Sequence, residues 1–286
     1  MWPVIGVLFD GFAYGMLLFL LSVGLTVTLG MMNFVNLAHC SFAMLGGYVT
    51  VTLMNRFGWP FFATLPASFL AAAAASVLFE RVLYRHLYQR SDLDQCLLTI
   101  GIVFVSVAAA AYLFGTVQQP VHLPDYLHGA LAVGGQSFAV YRMVLIGIAL
   151  LLTGALVAGL ELTRFGAMVR AAVDNQRVAR GLGINVGRVF ALTFALGSGL
   201  AGLGGSLAID IVGLDHAFAF NYLIYVLIVV SVGGLGSIGG SFAAATLLGI
   251  SDMAGKYYFP QFGAFLIYLV MIVLLMWRPA GIFGKR

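Results

Sequence analysis

Thr163–Arg188 reads TRFGAMVRAAVDNQRVARGLGINVGR and separates two apolar runs, about Met143–Leu162 and Phe190–Ile209, each long enough to cross a bilayer. Five arginines, Arg164, Arg170, Arg177, Arg180 and Arg188, stand in it against one acid, Asp174. A loop with that excess of positive charge is retained on the cytoplasmic side of a membrane. The loop is also patterned as more than a tether. Met168, Val169 and Ala172 recur at helical spacing, Asp174 or Asn175 suits the N-cap of a second short helix through Val178 and Leu182, and Gly181 or Gly183 suits its end. Two short helices meeting at an angle would make a knob that a partner can hold. A solvated basic loop explains the arginines as well, but leaves the caps and the apolar stripe without a purpose.

Outward from that loop, composition points the same way. Of 286 residues 62% are hydrophobic and only 8% charged, with a mean hydropathy of +1.05, which excludes a soluble domain of any size and indicates a multispanning helical membrane protein. The net charge of +4 comes from basic residues spread over loops, without a continuous nucleic-acid-binding face. Cys40 and Cys96 lie in apolar segments and give neither a metal spacing nor a disulfide framework, so they read as packing residues. The first apolar run has no Lys or Arg ahead of it, unlike a cleavable signal, and is expected to be retained with its N-terminus outside.

Taken in order, the first span, about Val4–Leu29, passes without a polar linker into Gly30–Met54. There Asn33, Asn36, His39 and Ser41 fall at membrane depth or its edge, and Gly30, Gly46 and Gly47 bracket them as helix breaks. Polar groups and broken helix are tolerated in a bilayer where protein or a water-filled cavity receives them. Each of these residues alone could pin a bend between helices; as a group they favour a cavity. A third span, about Phe61–Val82, ends at Glu80, Arg81, Arg85, His86 and Arg90, a cytoplasmic signature, and SDLDQ after it reads as a short polar turn. A fourth, about Cys96–Phe114, leads to a loop from Gly115 to Tyr141 without Lys or Arg, which should face outward, with His122 and His128 as surface residues. The span Phe190–Ile209 carries two rows of small residues, Gly197, Ala201, Gly205 and Ser198, Gly202, Ser206, which let backbones approach closely and mark a central helix. Tyr222–Asp252 is interrupted by GGLGSIGG, with Gly233, Gly234, Gly236, Gly239 and Gly240 as breaks in a hairpin or re-entrant pair, and Phe262–Trp277 ends in Arg278, Lys285 and Arg286.

Eleven of the fourteen basic residues then lie on the side of the central loop, with Arg56, Arg142 and Lys256 opposite, so the N-terminus is expected outside and the C-terminus in the cytoplasm. The fold expected is all-α: one domain over residues 1–286, a polytopic membrane protein of about eight or nine hydrophobic helical segments with broken helices. No nucleophile with a base, metal cluster or pair of intramembrane acids stands out for catalysis, and no metal-binding spacing. The P-loop pattern is missing too, so if ATP drives the protein another chain must hydrolyse it.

GLTVTLGMMNFVNLAHCSFAMLGGY (Gly24–Tyr48), RFGAMVRAAVDNQRVARGLGINVGRVFALTFALGSGLAGLGG (Arg164–Gly205), GGLGSIGG and RPAGIFG (Arg278–Gly284) together resemble the branched-chain amino-acid ABC-transporter permeases, the shorter of the two permease subunits of the high-affinity importers. The blocks occur in the family's order and reach from near residue 24 to the C-terminus. Cys40 departs from the Gly usual after Asn-x-Ala-His, and Gly239 from a Pro common in the hairpin; the first puts close helix approach in doubt there and the second loosens the hairpin. The resemblance implies a transmembrane permease domain in the bacterial inner membrane, part of an ATP-driven importer of branched-chain or other apolar amino acids. A second homologous permease, two cytoplasmic ATP-binding subunits and a periplasmic substrate-binding protein are its implied partners, with ATP and Mg held by those subunits, no cofactor on this chain, and no enzymatic role. Urea and short-chain amide permeases share these blocks, and a self-sufficient channel or facilitator is the competing class. Under the resemblance, 163–188 becomes the coupling loop, with Met168, Val169, Arg170, Arg177, Val178 and Arg180 meeting an ATPase. Asn33, Asn36, His39 and Ser41, with Ser231 and Ser237, would line the translocation path.

Overall fold

The computed structural model describes residues 2–32, 34–87, 90–121, 123–133 and 136–284. Eleven α-helices are found among them: α1 (Trp2–Met32), α2 (His39–Phe57), α3 (Phe61–Val82), α4 (Asp92–Phe114), α5 (Val140–Leu162), α6 (Arg164–Asp174), α7 (Gln176–Gly181), α8 (Val186–Val212), α9 (Phe218–Gly233), α10 (Ile238–Tyr258) and α11 (Gly263–Trp277). Five, namely α1, α3, α4, α5 and α8, are long and apolar enough to cross a membrane, and α9 and α11 are shorter apolar helices. Lys285, Arg286 and His122, read above as loop residues, lie outside the described residues.

α8 is the axis of the bundle. Its apolar window is 83% buried, against 17% for α4 and α5, so α8 is wrapped by protein while α4 and α5 line the perimeter. The two small-residue rows are the cause. Gly197 meets the backbone of Gly24 in α1, Gly202 lies against Ser68 and Ala72 of α3 and under Gly46 of α2, and Gly205 touches Ala43 of α2. Without side chains at these points three helices reach van der Waals contact with α8 at once. Hydroxyls tie the same seam: Thr50 Oγ1 donates to Ser206 Oγ at 2.9 Å, and Ser206 donates to the carbonyls of Gly46 and Gly202 at 3.1 and 3.0 Å.

Gly46 and Gly47 are therefore not helix breaks. Both lie inside the uninterrupted α2, and Gly46 is there because Gly202 of α8 leaves no room for a Cβ. Gly30 is likewise helical, two residues before the end of α1, and lies on the backbone of Gly236. Gly239 and Gly240 form the first turn of α10, and Gly233 ends α9. The second break is a turn over 234–237 in which Gly234 and Gly236 have φ of 95° and 78°, a region that L side chains disfavour.

SDLDQ is not a free turn. Ser91 caps α4, its Oγ accepting from Asp94 N at 3.2 Å and donating to the Asp94 carboxylate at 2.9 Å. At the end of the bundle away from the basic loop, a two-stranded hairpin, β1 (Ala130–Val133) and β2 (Gln136–Ala139), pairs Ala130 with Ala139 and Leu131 with Phe138. Phe138 packs edge-on to Phe9 of α1 at 4.9 Å, and Asn55 Nδ2 at the end of α2 donates to Pro120 O at 2.9 Å. Arg142 pairs with Asp10, and Lys256 with Asp252 at 2.6 Å, so two of the three basic residues at that end are neutralised.

At the basic end, residues 278–284 fold back over the α9–α10 turn. Ile282 N donates to Val232 O at 2.8 Å and Phe283 N to Gly233 O at 3.2 Å, pairing carbonyls that the C-terminus of α9 leaves without helical partners.

Candidate functional site

Between α1 and α2 the chain is non-helical and yet buried: Phe34, Asn36 and Ala38 are enclosed. A run of this kind inside a membrane bundle needs partners for its backbone. Gln95 of α4 supplies one, its Oε1 accepting from Val35 N at 3.0 Å while its Nε2 donates to Leu87 O at 3.2 Å. Asn36 supplies another, Oδ1 accepting from Ala38 N at 3.1 Å as the chain enters α2. Asn33 lies outside the described residues.

What the break leaves unpaired is chemically varied. Asn36 Nδ2, His39 Nδ1 and Ser41 Oγ are buried without a hydrogen-bond partner, and so is Ser198 Oγ on α8. His39 Nε2 lies 3.1 Å from Leu21 O, a carbonyl that only accepts, so Nε2 carries the proton and Nδ1 of the neutral ring is a free acceptor. An amide donor, a ring acceptor and a hydroxyl thus stand within six residues. Buried polar groups are nearly always paired, so a cluster of orphans calls for a partner from outside the chain, a water or a polar visitor. Aromatic rings surround the break: Tyr84 packs on Phe34 at 5.2 Å and on Phe194 at 5.1 Å, and Phe42 meets Phe79 at 6.0 Å and Phe194 at 6.2 Å.

Ser231 and Ser237 are placed apart from this cluster, at the α9–α10 turn. Ser231 is exposed, and Ser237 spends its hydroxyl as the N-cap of α10, accepting from Gly240 N at 3.0 Å.

The loop 163–188 forms a capped pair of helices. Thr163 caps α6, Asn175 caps α7 by accepting from Arg177 N and Val178 N at 3.1 Å each, and Asn185 caps α8. Gly183, with φ of 83°, carries the chain out of α7. Of the six residues expected on the outer surface, Val169 faces inward and Arg170, though exposed, is tied back to the bundle. Val169 is only 1% exposed and packs with Ala172, Ala179, Val186 and Phe190, and the Arg170 guanidinium donates to Leu160 O at the end of α5. The stripe that the sequence shows is the face by which the knob is fastened to its own bundle. Met168, Val173, Val178 and Leu182 are the apolar residues left outside, with Arg177 and Arg180 beside them. Next to them Arg81, Arg85, His86, Arg180 and Arg188, with Glu80, line a concavity of about 690 Å³. Among the described residues no group of three or more His, Cys, Asp or Glu is placed to hold a metal.

A helical bundle with a buried polar break and a capped basic knob at one end defines a polytopic membrane protein of the transport class. Residues 7–275 match the family described as "Branched-chain amino acid transport system / permease component", and the chain belongs to that family. It is 26% identical to the high-affinity branched-chain amino acid transport system permease protein BraD of Pseudomonas aeruginosa, over 97% of this chain and 95% of that one. It is 29% identical to the probable branched-chain amino acid transport permease protein LivH of Methanocaldococcus jannaschii, over 95% and 90%. LivM of Escherichia coli is 24% identical, over 93% of this chain but 68% of its own length, so the chain is of the shorter, LivH type. No solved structure matches it. The protein is thus a multi-pass membrane permease component of an ABC importer, and a transport subunit in place of an enzyme.

Proposed function

We propose that this permease passes branched-chain or other apolar amino acids, delivered by a periplasmic binding protein, through a path at the α1–α2 break. ATP with Mg is bound and hydrolysed on two separate cytoplasmic subunits, and a second, homologous permease completes the path. What supports the substrate class is the family match across residues 7–275, since the relatives it brings together are named for branched-chain amino acid transport. Asn36 Nδ2 suits a carboxylate, His39 Nδ1 an ammonium and Ser41 Oγ either. A permease handed its ligand by a binding protein needs weak contacts, because a deep site slows release. Ser231 and Ser237 would meet the substrate only near the basic end, where it leaves.

The knob presents Met168, Val178, Arg177 and Arg180 to an ATPase, while Val169 and Arg170 make it rigid, so that closure of the nucleotide sites moves α5 and α8 as bodies. This orientation puts the knob and residues 278–284 in the cytoplasm of a bacterial inner membrane and the N-terminus outside.

Reconstitution of this chain with a homologous second permease, two ATPase subunits and a branched-chain amino acid binding protein tests the reading. ATP-dependent accumulation of radiolabelled leucine in proteoliposomes is the expected result. Uptake that equilibrates without ATP would make the protein a facilitator, and accumulation of urea or an amide but not leucine would move it to another substrate class.

A further inference from the structure

A cavity of about 220 Å³ lies among α2, α3 and α4, sharing Ser41, Phe42 and Phe79 with the polar break and its aromatic surround. Its walls are apolar, with Phe79 from α3 and Ile102, Ala110, Leu113 and Phe114 from α4. Two polar groups interrupt them. Ser41 and Tyr48, 7% and 3% exposed, both line the cavity from α2, and both hydroxyls are without a partner. They are seven residues apart, two helical turns on one face, a separation of about 10 Å along the axis. The third hydroxyl at the cavity, Ser106, is already spent on Ile102 O at 2.7 Å.

We infer that this cavity receives the branched aliphatic side chain of a transported amino acid, while the hydroxyls of Tyr48 and Ser41 take its polar head in succession. The inference rests on the amino-acid import proposed above and adds where the side chain is read. Size agrees: an apolar cavity of about 150 Å³ holds a benzene ring, so 220 Å³ accommodates a four-carbon branched chain with room for part of the backbone. The two open hydroxyls decide between occupants. A lipid acyl chain entering between α2 and α4 would leave both unpaired, whereas an ammonium or carboxylate satisfies each as it passes. Tyr48 is held for this by its ring, stacked on Phe114 at 4.2 Å, and Ser41 lies in the first turn of α2, directly after the break that carries Asn36 and His39. The cavity therefore continues from the polar break along about two turns of one face of α2.

The test uses the assembled transporter with its binding protein, reading initial uptake of radiolabelled leucine and alanine per complex. Ala110→Phe fills the cavity and should lower leucine uptake relative to alanine uptake about tenfold. Ser41→Ala combined with Tyr48→Phe removes two oxygens and little volume; it should lower the maximal rate for both amino acids about tenfold, with the binding protein's own affinity unaltered. If Ala110→Phe does not assemble, the hydroxyl pair decides alone. An unchanged leucine-to-alanine ratio in Ala110→Phe, or an unchanged maximal rate in the hydroxyl pair, overturns the assignment and leaves the cavity to a lipid chain. Failure of the unaltered complex to import leucine would overturn the amino-acid reading as well, so the two failures are told apart by the unaltered protein.

Discussion

Gly46→Leu is the substitution that asks most directly whether α8 is held by backbone contact. A Cβ at Gly46 would fall on the Gly202 carbonyl oxygen, and its three nearest neighbours are all backbone atoms of Gly202. No side chain can swing aside, so α2 and α8 have to separate. Overpacking of this kind costs about 1–3 kcal/mol where neighbours can adjust, and the upper end applies here. Separation also lengthens the bond from Ser206 Oγ to Gly46 O, now 3.1 Å, worth about 1 kcal/mol more. A loss of about 4 kcal/mol is nearly three orders of magnitude in the folded ratio. The matching control is Gly147→Leu in α5, where an added Cβ meets nothing within 4 Å. Detergent-extracted protein, heated in steps and assayed for the monodisperse fraction, should show Gly46→Leu melting well below both the original and the control. If Gly46→Leu and Gly147→Leu melt together, close approach at α8 does not organise the bundle.

In the knob, Arg177→Glu with Arg180→Glu should lower transport-linked ATP hydrolysis at least tenfold while membrane insertion stays intact, because both side chains are exposed and neither is used within the chain's own packing; normal coupled hydrolysis would reduce the knob to a topology signal. Orientation is checked with single cysteines: one at Pro120, near the β hairpin, should react with an impermeant thiol reagent in intact cells, and one at Asn175 should not. The reverse pattern would place the ATPases on the wrong side of the knob.

Much of the architecture was legible because lipid imposes simple demands. Helix ends followed apolar length closely: Phe61–Val82 is α3 as the sequence indicates, and the small-residue rows of α8 identified the central helix. Asn175 was legible as a cap because its side chain and the helix it starts are adjacent in sequence. Partners distant in sequence were not. Periodicity at Val169 and Ala172 shows that one face is apolar but not what covers it, and the cover proved to be the permease itself. Glycine is ambiguous for a related reason, since Gly46 and Gly234 look alike in a sequence although one admits a neighbouring helix and the other a positive φ. The β hairpin, ALAV and QSFA, was too short to register against the surrounding loop. Gln95 and Tyr48 escaped notice because one was read as part of a turn and the other only as the end of the block from Gly24; an inventory of unpaired hydroxyls needs coordinates.

The fold-back of residues 278–284 onto the α9–α10 turn also orders events during synthesis. Val232 and Gly233 enter the membrane about fifty residues before Ile282 and Phe283, whose amides complete their pairing. Until then two carbonyls at the end of a short apolar helix must be shielded by water, lipid headgroups or the insertion machinery, and Gly234 has no neighbour in Gly284 to define the turn. The α9–α10 pair is thus a late-closing element of biogenesis. A translational pause between Tyr258 and Arg278 would hold the protein in a state where this turn is open to quality-control proteases, while the α1–α2–α8 seam, all of it encoded upstream, has already formed.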